Sequence, residues 1–262
     1  MARRHSGVRP AVLAVLALGA TLCAVPPSAQ AAPVGAAPAA ATPAPARAAT
    51  EVRVIGRTVK GRPIKAWRLG DPTASVKAVF LATMHGDEAG PARILENLRD
   101  GAAVRGADIW VVPHLNRDGY VRHTRKNARG VDLNRNFPVR WIRQYGKYDS
   151  GRRPASEPET RAIMRFLTQV GPKFVVSFHQ PLRGVDTSYG KSRPLALRLS
   201  RYLDLPRKRF DCNGGCHGTL TQWFNKRLPG AALTVEYGHR MTWRQKYVTG
   251  PRGLLKAVGA SR

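Results

Sequence analysis

His85 and Glu88 stand three apart in Thr83-Met-His-Gly-Asp-Glu-Ala-Gly90, a glycine-bearing turn between an apolar run and a helical pattern. At the carboxyl edge of a sheet, a histidine and a carboxylate so spaced can aim at one point. They offer the mixed nitrogen and oxygen donors that zinc takes, and a hydrolytic zinc site keeps three protein ligands and a place for water. His179, at the end of Val175-Val-Ser-Phe-His179, is the candidate third ligand. The same spacing also arises when a helix-start glutamate follows an incidental histidine, so the pair alone decides nothing. Glu236 closes the apolar stretch Ala231-Ala-Leu-Thr-Val-Glu236. That is an expensive position for a carboxylate unless it is paired or takes part in chemistry. A structural ion pair with one of the many arginines is the competing explanation.

Bringing these groups together requires strands that end side by side. Runs rich in β-branched and apolar residues occur at 52–55, 64–69, 76–83, 108–112, 174–178 and 232–237. Helical periodicity alternates with them, at 89–98, 157–170 and 195–203. Ser156 followed three residues later by Glu159 predicts a capping box at the second helix. Strands alternating with helices predict an α/β layered sheet. The continuous apolar runs Ala78-Val-Phe-Leu81 and Phe174-Val-Val176 predict that both its faces are covered.

The chain has 262 residues, with 44 Lys and Arg against 16 Asp and Glu and a formal net charge of +28. Collagen-like, coiled-coil and polytopic membrane classes are excluded by this composition. Arg3, Arg4 and Arg9 precede an apolar run from Ala11 to Val25 and a small-residue stretch ending Ala29-Gln-Ala31. Residues 1–31 therefore read as a secretory signal peptide cleaved near Ala31. The run is too short, and too broken by Pro26-Pro27, for an anchor that stays in the membrane. Residues 32–50 are nearly all Ala and Pro and read as an extended linker, with the folded unit at 51–262. The expected location is outside the cell, secreted or held at the cell wall. Arginine is spread through every segment and no nucleic-acid module appears, so no nucleic-acid partner is expected. Anionic cell-wall polymers match the charge, as does a general Arg and Ala bias of the source.

His85-Gly-Asp-Glu88, the run Arg125-Lys-Asn-Ala-Arg-Gly-Val-Asp-Leu-Asn-Arg-Asn-Phe-Pro138, His179 and Thr234-Val-Glu236 together resemble the zinc carboxypeptidase family. Gly130 to Pro138, the segment Ser156-Glu-Pro-Glu-Thr-Arg161 and the short chain are most similar to its cell-wall peptide amidases. The resemblance implies a single α/β/α layered domain on a mixed, mostly parallel sheet. It implies zinc held by His85, Glu88 and His179, with Glu236 as general base. It also implies that Arg125 faces the developing oxyanion while Asn134 and Arg135 hold a substrate carboxylate. A planar guanidinium suits both of the arginine tasks.

Two segments depart from the family pattern. Its Asn-Pro-Asp-Gly turn is Asn116-Arg-Asp-Gly119, which a type I turn tolerates. The stretch before the last strand is Asp211-Cys-Asn-Gly-Gly-Cys-His-Gly218, and no tyrosine that closes over the substrate can be placed. Cys212 and Cys216 are expected to form a disulfide in an oxidising compartment. A second metal site with His217 is the alternative, without a convincing fourth ligand.

The expected activity is hydrolysis of an amide bond in peptidoglycan peptides that carry a free carboxylate, at a γ-D-glutamyl–diaminopimelate linkage. A general metallocarboxypeptidase acting on protein or peptide C-termini is the alternative within the enzymes. A basic wall-binding protein without turnover is the alternative outside them.

Overall fold

A computed structural model describes residues 48–210 and 216–262. The expected signal peptide and most of the expected linker lie outside the described residues, as does Cys212. The last residues assigned to that linker belong instead to the folded unit. Ala48 is buried and its N–H donates to the Gly101 carbonyl at 2.9 Å. Strand β1 then runs Ala49–Arg57, with Ala49 opposite Leu69. Pairing with the next strand recruits residues whose own composition reads as linker.

The other strands are β2 Pro63–Gly70, β3 Lys77–Leu81, β4 Asp108–Val112, β5 Phe174–His179, β6 Leu182–Asp186, β7 Arg207–Lys208 and β8 Ala231–Gly238. They form one sheet in the order β1-β2-β4-β3-β5-β8-β6-β7. The four central strands, β4, β3, β5 and β8, are mutually parallel, and β2 and β6 flank them in antiparallel pairing. The sheet is thus mixed, with a parallel centre.

Helices α1 Ala92–Asp100, α2 Arg117–Arg122, α3 Pro158–Val170, α4 Arg193–Leu203, α5 Leu220–Arg227 and α6 Gly250–Ala257 complete the fold. Strand alternation divides the apolar residues between two cores. Ala78 and Phe80 of β3 face α1, α4 and α6, whereas Val79 and Leu81 face α3 and α5. This is the α/β/α layering expected from the alternating pattern.

The capping box predicted at Ser156 and Glu159 does not form. The N-cap is Glu157 without a side-chain bond. Glu159 instead accepts from the Val59 N–H at 3.0 Å and from Asn127 at 3.2 Å. A cap contributes about 1 kcal/mol, whereas burying Ile163, Phe166 and Leu167 contributes about 1.5–3 kcal/mol each. Packing therefore suffices for α3. A capping box does occur at α5, between Thr219 and Gln222. The Asn116-Arg-Asp-Gly stretch is a helix start and not an isolated turn: the Asn116 side chain accepts from the Gly119 N–H at 2.9 Å and begins α2.

Candidate active site

β3, β5 and β8 all end at the same edge of the sheet, and the predicted site residues follow from their ends. After β3 the chain turns through Thr83, a buried β-branched residue held at φ 49°. Such a backbone persists only where its surroundings fix it. Here the Thr83 carbonyl accepts from the Asn116 N–H at 3.0 Å, and its hydroxyl donates to the Pro113 carbonyl at 3.1 Å. Gly86 lies against the backbone of Gly119 and Tyr120, where a Cβ would collide. Its N–H donates to the Arg125 carbonyl at 3.3 Å, tying the His85 loop to the Arg125 loop.

His85, Glu88 and His179 converge, all three buried. His85 Nδ1 is 2.7 Å from Glu88 Oε1, His179 Nδ1 is 2.9 Å from Glu88 Oε2, and the two Nδ1 atoms are 3.1 Å apart. A tetrahedral ion bonded to two imidazoles at about 2.0–2.1 Å spaces their nitrogens about 3.3 Å apart, close to the observed separation. The opposite ring nitrogens are already engaged. His85 Nε2 is 2.9 Å from Asp132 Oδ1, and His179 Nε2 is 3.0 Å from the Ser177 hydroxyl. Outer partners of this kind orient both rings so that Nδ1 faces the metal position. The donor set fits zinc. In the metal-free protein burial opposes charge on His85, yet the Glu88 and Asp132 carboxylates outweigh it and raise its pKa to about 9.

Asp132 joins the metal site to Arg125. Its Oδ2 accepts from Arg125 Nε at 3.0 Å and Nη2 at 2.8 Å. Arg125 Nη1 points to Glu88 Oε1 at 3.4 Å, leaving this end of the guanidinium beside the metal position. Asp132 carried no role in the sequence reading, although it lies within the motif run. The available signal was an acid set among arginines in a chain with few acids, where a metal-binding histidine needs an outer partner.

Glu236 is the register partner of His179 across β5 and β8, so the two leave the sheet side by side. It has no basic partner among the described residues and accepts only from the Leu182 N–H, at 3.2 Å. The competing ion-pair explanation is therefore not what these residues display. Burial raises the Glu236 pKa above the ordinary value, with His179 opposing and Glu88 adding to the rise.

Asn134 and Arg135 occupy a 3₁₀ turn that also lines the cleft. The Asn134 Oδ1 accepts from the Leu220 N–H at 3.1 Å, which leaves its amide N–H groups for another partner. Arg135 stacks over Tyr148 at 5.0 Å, and its buried Nε has no partner among the described residues. Burial, with Arg125 adding to it, pushes this guanidinium below its ordinary pKa, an environment that an anion would relieve. Arg125, Asn134, Arg135, the three metal-site residues and Glu236 all line one cleft of about 520 Å³.

Gln180 was not anticipated either. Its side chain accepts from the Gly90 N–H at 3.0 Å and donates to the carbonyls of Gly238 and His239 at 2.7 and 3.0 Å. It thus clasps the loop that carries Glu88 to the end of β8, the strand that carries Glu236. Cys216 also lines the cleft, whereas its expected partner Cys212 is not among the described residues. His217 meets the Arg140 carbonyl at 3.2 Å, away from the metal set.

Two imidazoles, a carboxylate and an adjacent buried glutamate, gathered where the parallel central strands of the sheet end, make up the site of a metal-dependent hydrolase. The chain belongs to the zinc carboxypeptidase family, which its sequence matches over residues 44–209. That match ends ahead of β8, so Glu236 stands on its geometry. Zinc is the metal of that family, and His85, Glu88 and His179 form the site for it. The chain is 33% identical to murein peptide amidase A of Escherichia coli K12 over 145 residues, which span 50% of this chain and 60% of that protein. It is 30% identical to murein peptide amidase A of Vibrio campbellii over 196 residues, 69% of this chain and 77% of that protein. Among solved structures it superposes on the murein-tripeptide amidase of Escherichia coli O157 with a TM-score of 0.65, at 27% identity over 77% of this chain and 88% of that one. A carboxypeptidase A from Helicoverpa armigera shares the fold with a TM-score of 0.67 at 18% identity, over 81% and 68% of the two chains. Membership of this family supports a hydrolase over a protein that only binds.

Proposed function

We propose that the protein is an exported zinc amidase that hydrolyses the γ-D-glutamyl–diaminopimelate bond of peptidoglycan peptides. The observation that carries this reading is the shared cleft, which Asn134 and Arg135, with the Asn134 amide N–H groups and the Arg135 Nε unengaged among the described residues, line together with the metal site and Glu236. The likeness to two murein peptide amidases gives it direction.

Zinc, when bound, supplies Lewis acidity that polarises the scissile carbonyl and acidifies a water molecule toward a pKa of about 7. Glu236 takes the proton of the attacking water and delivers it to the leaving amine nitrogen. Arg125 presents Nη1 to the oxyanion that develops, while Asp132 fixes the rest of its guanidinium. The Asn134 amide N–H groups and Arg135 hold the carboxylate one residue beyond the scissile bond, which orients the substrate before attack. A γ-linked D-glutamate places its own α-carboxylate beside the scissile amide, an extra charge that suits a cleft lined by Arg125, Arg135 and Lys147.

The apolar N-terminal run and its Ala-Gln-Ala end support export, and an oxidising compartment would let Cys212 and Cys216 pair. Cleavage removes Arg3, Arg4 and Arg9 and no acid, and the charge that stays, 41 Lys and Arg against 16 Asp and Glu, suits retention on anionic wall polymers.

Mass spectrometry of products from defined peptides tests the reaction. L-Ala-γ-D-Glu-diaminopimelate should release diaminopimelate much faster than an α-linked peptide loses its C-terminal residue. Preference for the α-linked peptide, or indifference to linkage, would establish a general carboxypeptidase instead.

A further inference from the structure

The described acids of this basic protein are mostly paired, and the buried exceptions stand out. Only Glu159, Asp186 and Glu236 are buried without a basic partner among the described residues. Glu159 has both oxygens held by Val59 and Asn127. Glu236 is the proposed base. Asp186 has no role in the reaction above, yet it lines the same cleft.

Its geometry is that of a half-used acceptor. Oδ1 accepts from the Ser188 N–H at 2.9 Å, the Ser188 hydroxyl at 2.6 Å and the Phe210 N–H at 3.4 Å. Oδ2 has no protein partner among the described residues. Asp186 is 3% exposed, so bulk water compensates this charge poorly. A buried carboxylate kept unpaired amid 44 basic residues calls for a cation from elsewhere.

The sheet register states how far that cation lies from the reacting bond. β6 runs antiparallel to β8 with Gly184 opposite Glu236 and Val185 opposite Val235. Asp186 is therefore two residues beyond the level of Glu236, deeper along the sheet and beside Thr234, which also lines the cleft. Two strand residues span about 7 Å. A four-carbon side chain ending in an ammonium reaches about 6 Å from its Cα.

We infer that Asp186 is a specificity-determining residue that receives an ammonium group at the end of a long side chain on the residue released. The inference rests on reading the cleft as an amide-cleaving site, and it deepens that reading. Diaminopimelate and lysine both carry such an ammonium four carbons from the α-carbon, whereas norleucine has the chain without the charge.

The experiment measures kcat/KM for paired substrates ending in lysine or norleucine, with wild-type enzyme and Asp186→Asn. Wild type should favour the lysine substrate by about tenfold or more, the worth of a hydrogen bond to a charged group. In Asp186→Asn that ratio should collapse toward one. Free lysine should also inhibit wild type more tightly than free norleucine, a comparison that needs no variant to fold. Asp186→Glu, which keeps the charge, should retain part of the lysine preference. Indifference of wild type to the ammonium, or an unchanged ratio in Asp186→Asn, overturns the inference. Each pair is made on γ-D-glutamyl and on α-linked scaffolds. The linkage preference then judges the amidase reading, while the lysine-to-norleucine ratio judges Asp186 on whichever scaffold is cleaved.

Discussion

Asp132 Oδ1 lies 2.9 Å from His85 Nε2, on the far side of the ring from the metal position. The same carboxylate holds Arg125, so one buried acid orients both a proposed ligand and the proposed oxyanion donor. Asp132→Asn keeps the shape and removes the charge. Zinc affinity should fall about 10–100-fold, the usual effect of losing an outer partner. Competition with a chromophoric chelator measures it, and wild-type affinity in this variant would remove Asp132 from the metal site.

The purified protein should hold about one zinc per chain, since three ligands converge and one position stays open. His85→Ala and His179→Ala should each abolish it by metal analysis. Because the metal-free His85 keeps its proton up to about pH 9, zinc uptake near pH 7 must expel that proton. Apparent affinity should rise with pH until about 9. Calorimetry in two buffers of different ionisation enthalpy reads the released proton directly.

Glu236→Gln should retain zinc and fold while losing about 10²–10⁴-fold in turnover, because an amide cannot accept the proton. A loss below about tenfold, with zinc bound, would assign the base elsewhere. The pH profile carries the sign of the burial effect. The base acts when ionised and burial raises its pKa, so activity should decline with acidification already above the ordinary glutamate value of about 4.3. In Glu236→Gln that acid limb should vanish from the residual rate.

Amidating the substrate's terminal carboxylate should cripple hydrolysis, because it removes the anion that the Asn134 amide and Arg135 are arranged to meet. Arg135→Lys should raise KM more than it lowers kcat, since a point charge replaces a planar fork. Steady-state kinetics on both substrates decides, and an unchanged KM would move the clamp to other residues.

Six of the eight strands were legible because their apolar runs are continuous or alternating. β6 was not, since Leu182-Arg-Gly-Val-Asp shows neither pattern, and its place in the sheet comes from pairing with β8. α6 opens Gly-Pro-Arg-Gly, which reads as a loop until Leu254 and Leu255 are seen packed in the core. The metal set and Glu236 were visible through motif residues at strand ends. Asp132, Gln180 and Asp186 were not, because their significance is set by which loop or strand they meet: Asp132 meets His85 across 47 positions of chain, Gln180 meets Gly238 across 58, and Asp186 follows Val185, which pairs with Val235 of β8. No local pattern encodes such a meeting.

The contact of Gly86 with the backbone of Gly119 and Tyr120 also bears on descent. No single codon change at position 86 can add a side chain without displacing the loop between His85 and Glu88. The turn that opens α2 is thereby bound to the catalytic loop as one heritable unit. The atoms met are main-chain atoms, which every residue type has, so no substitution at 119 or 120 makes room for a side chain at 86.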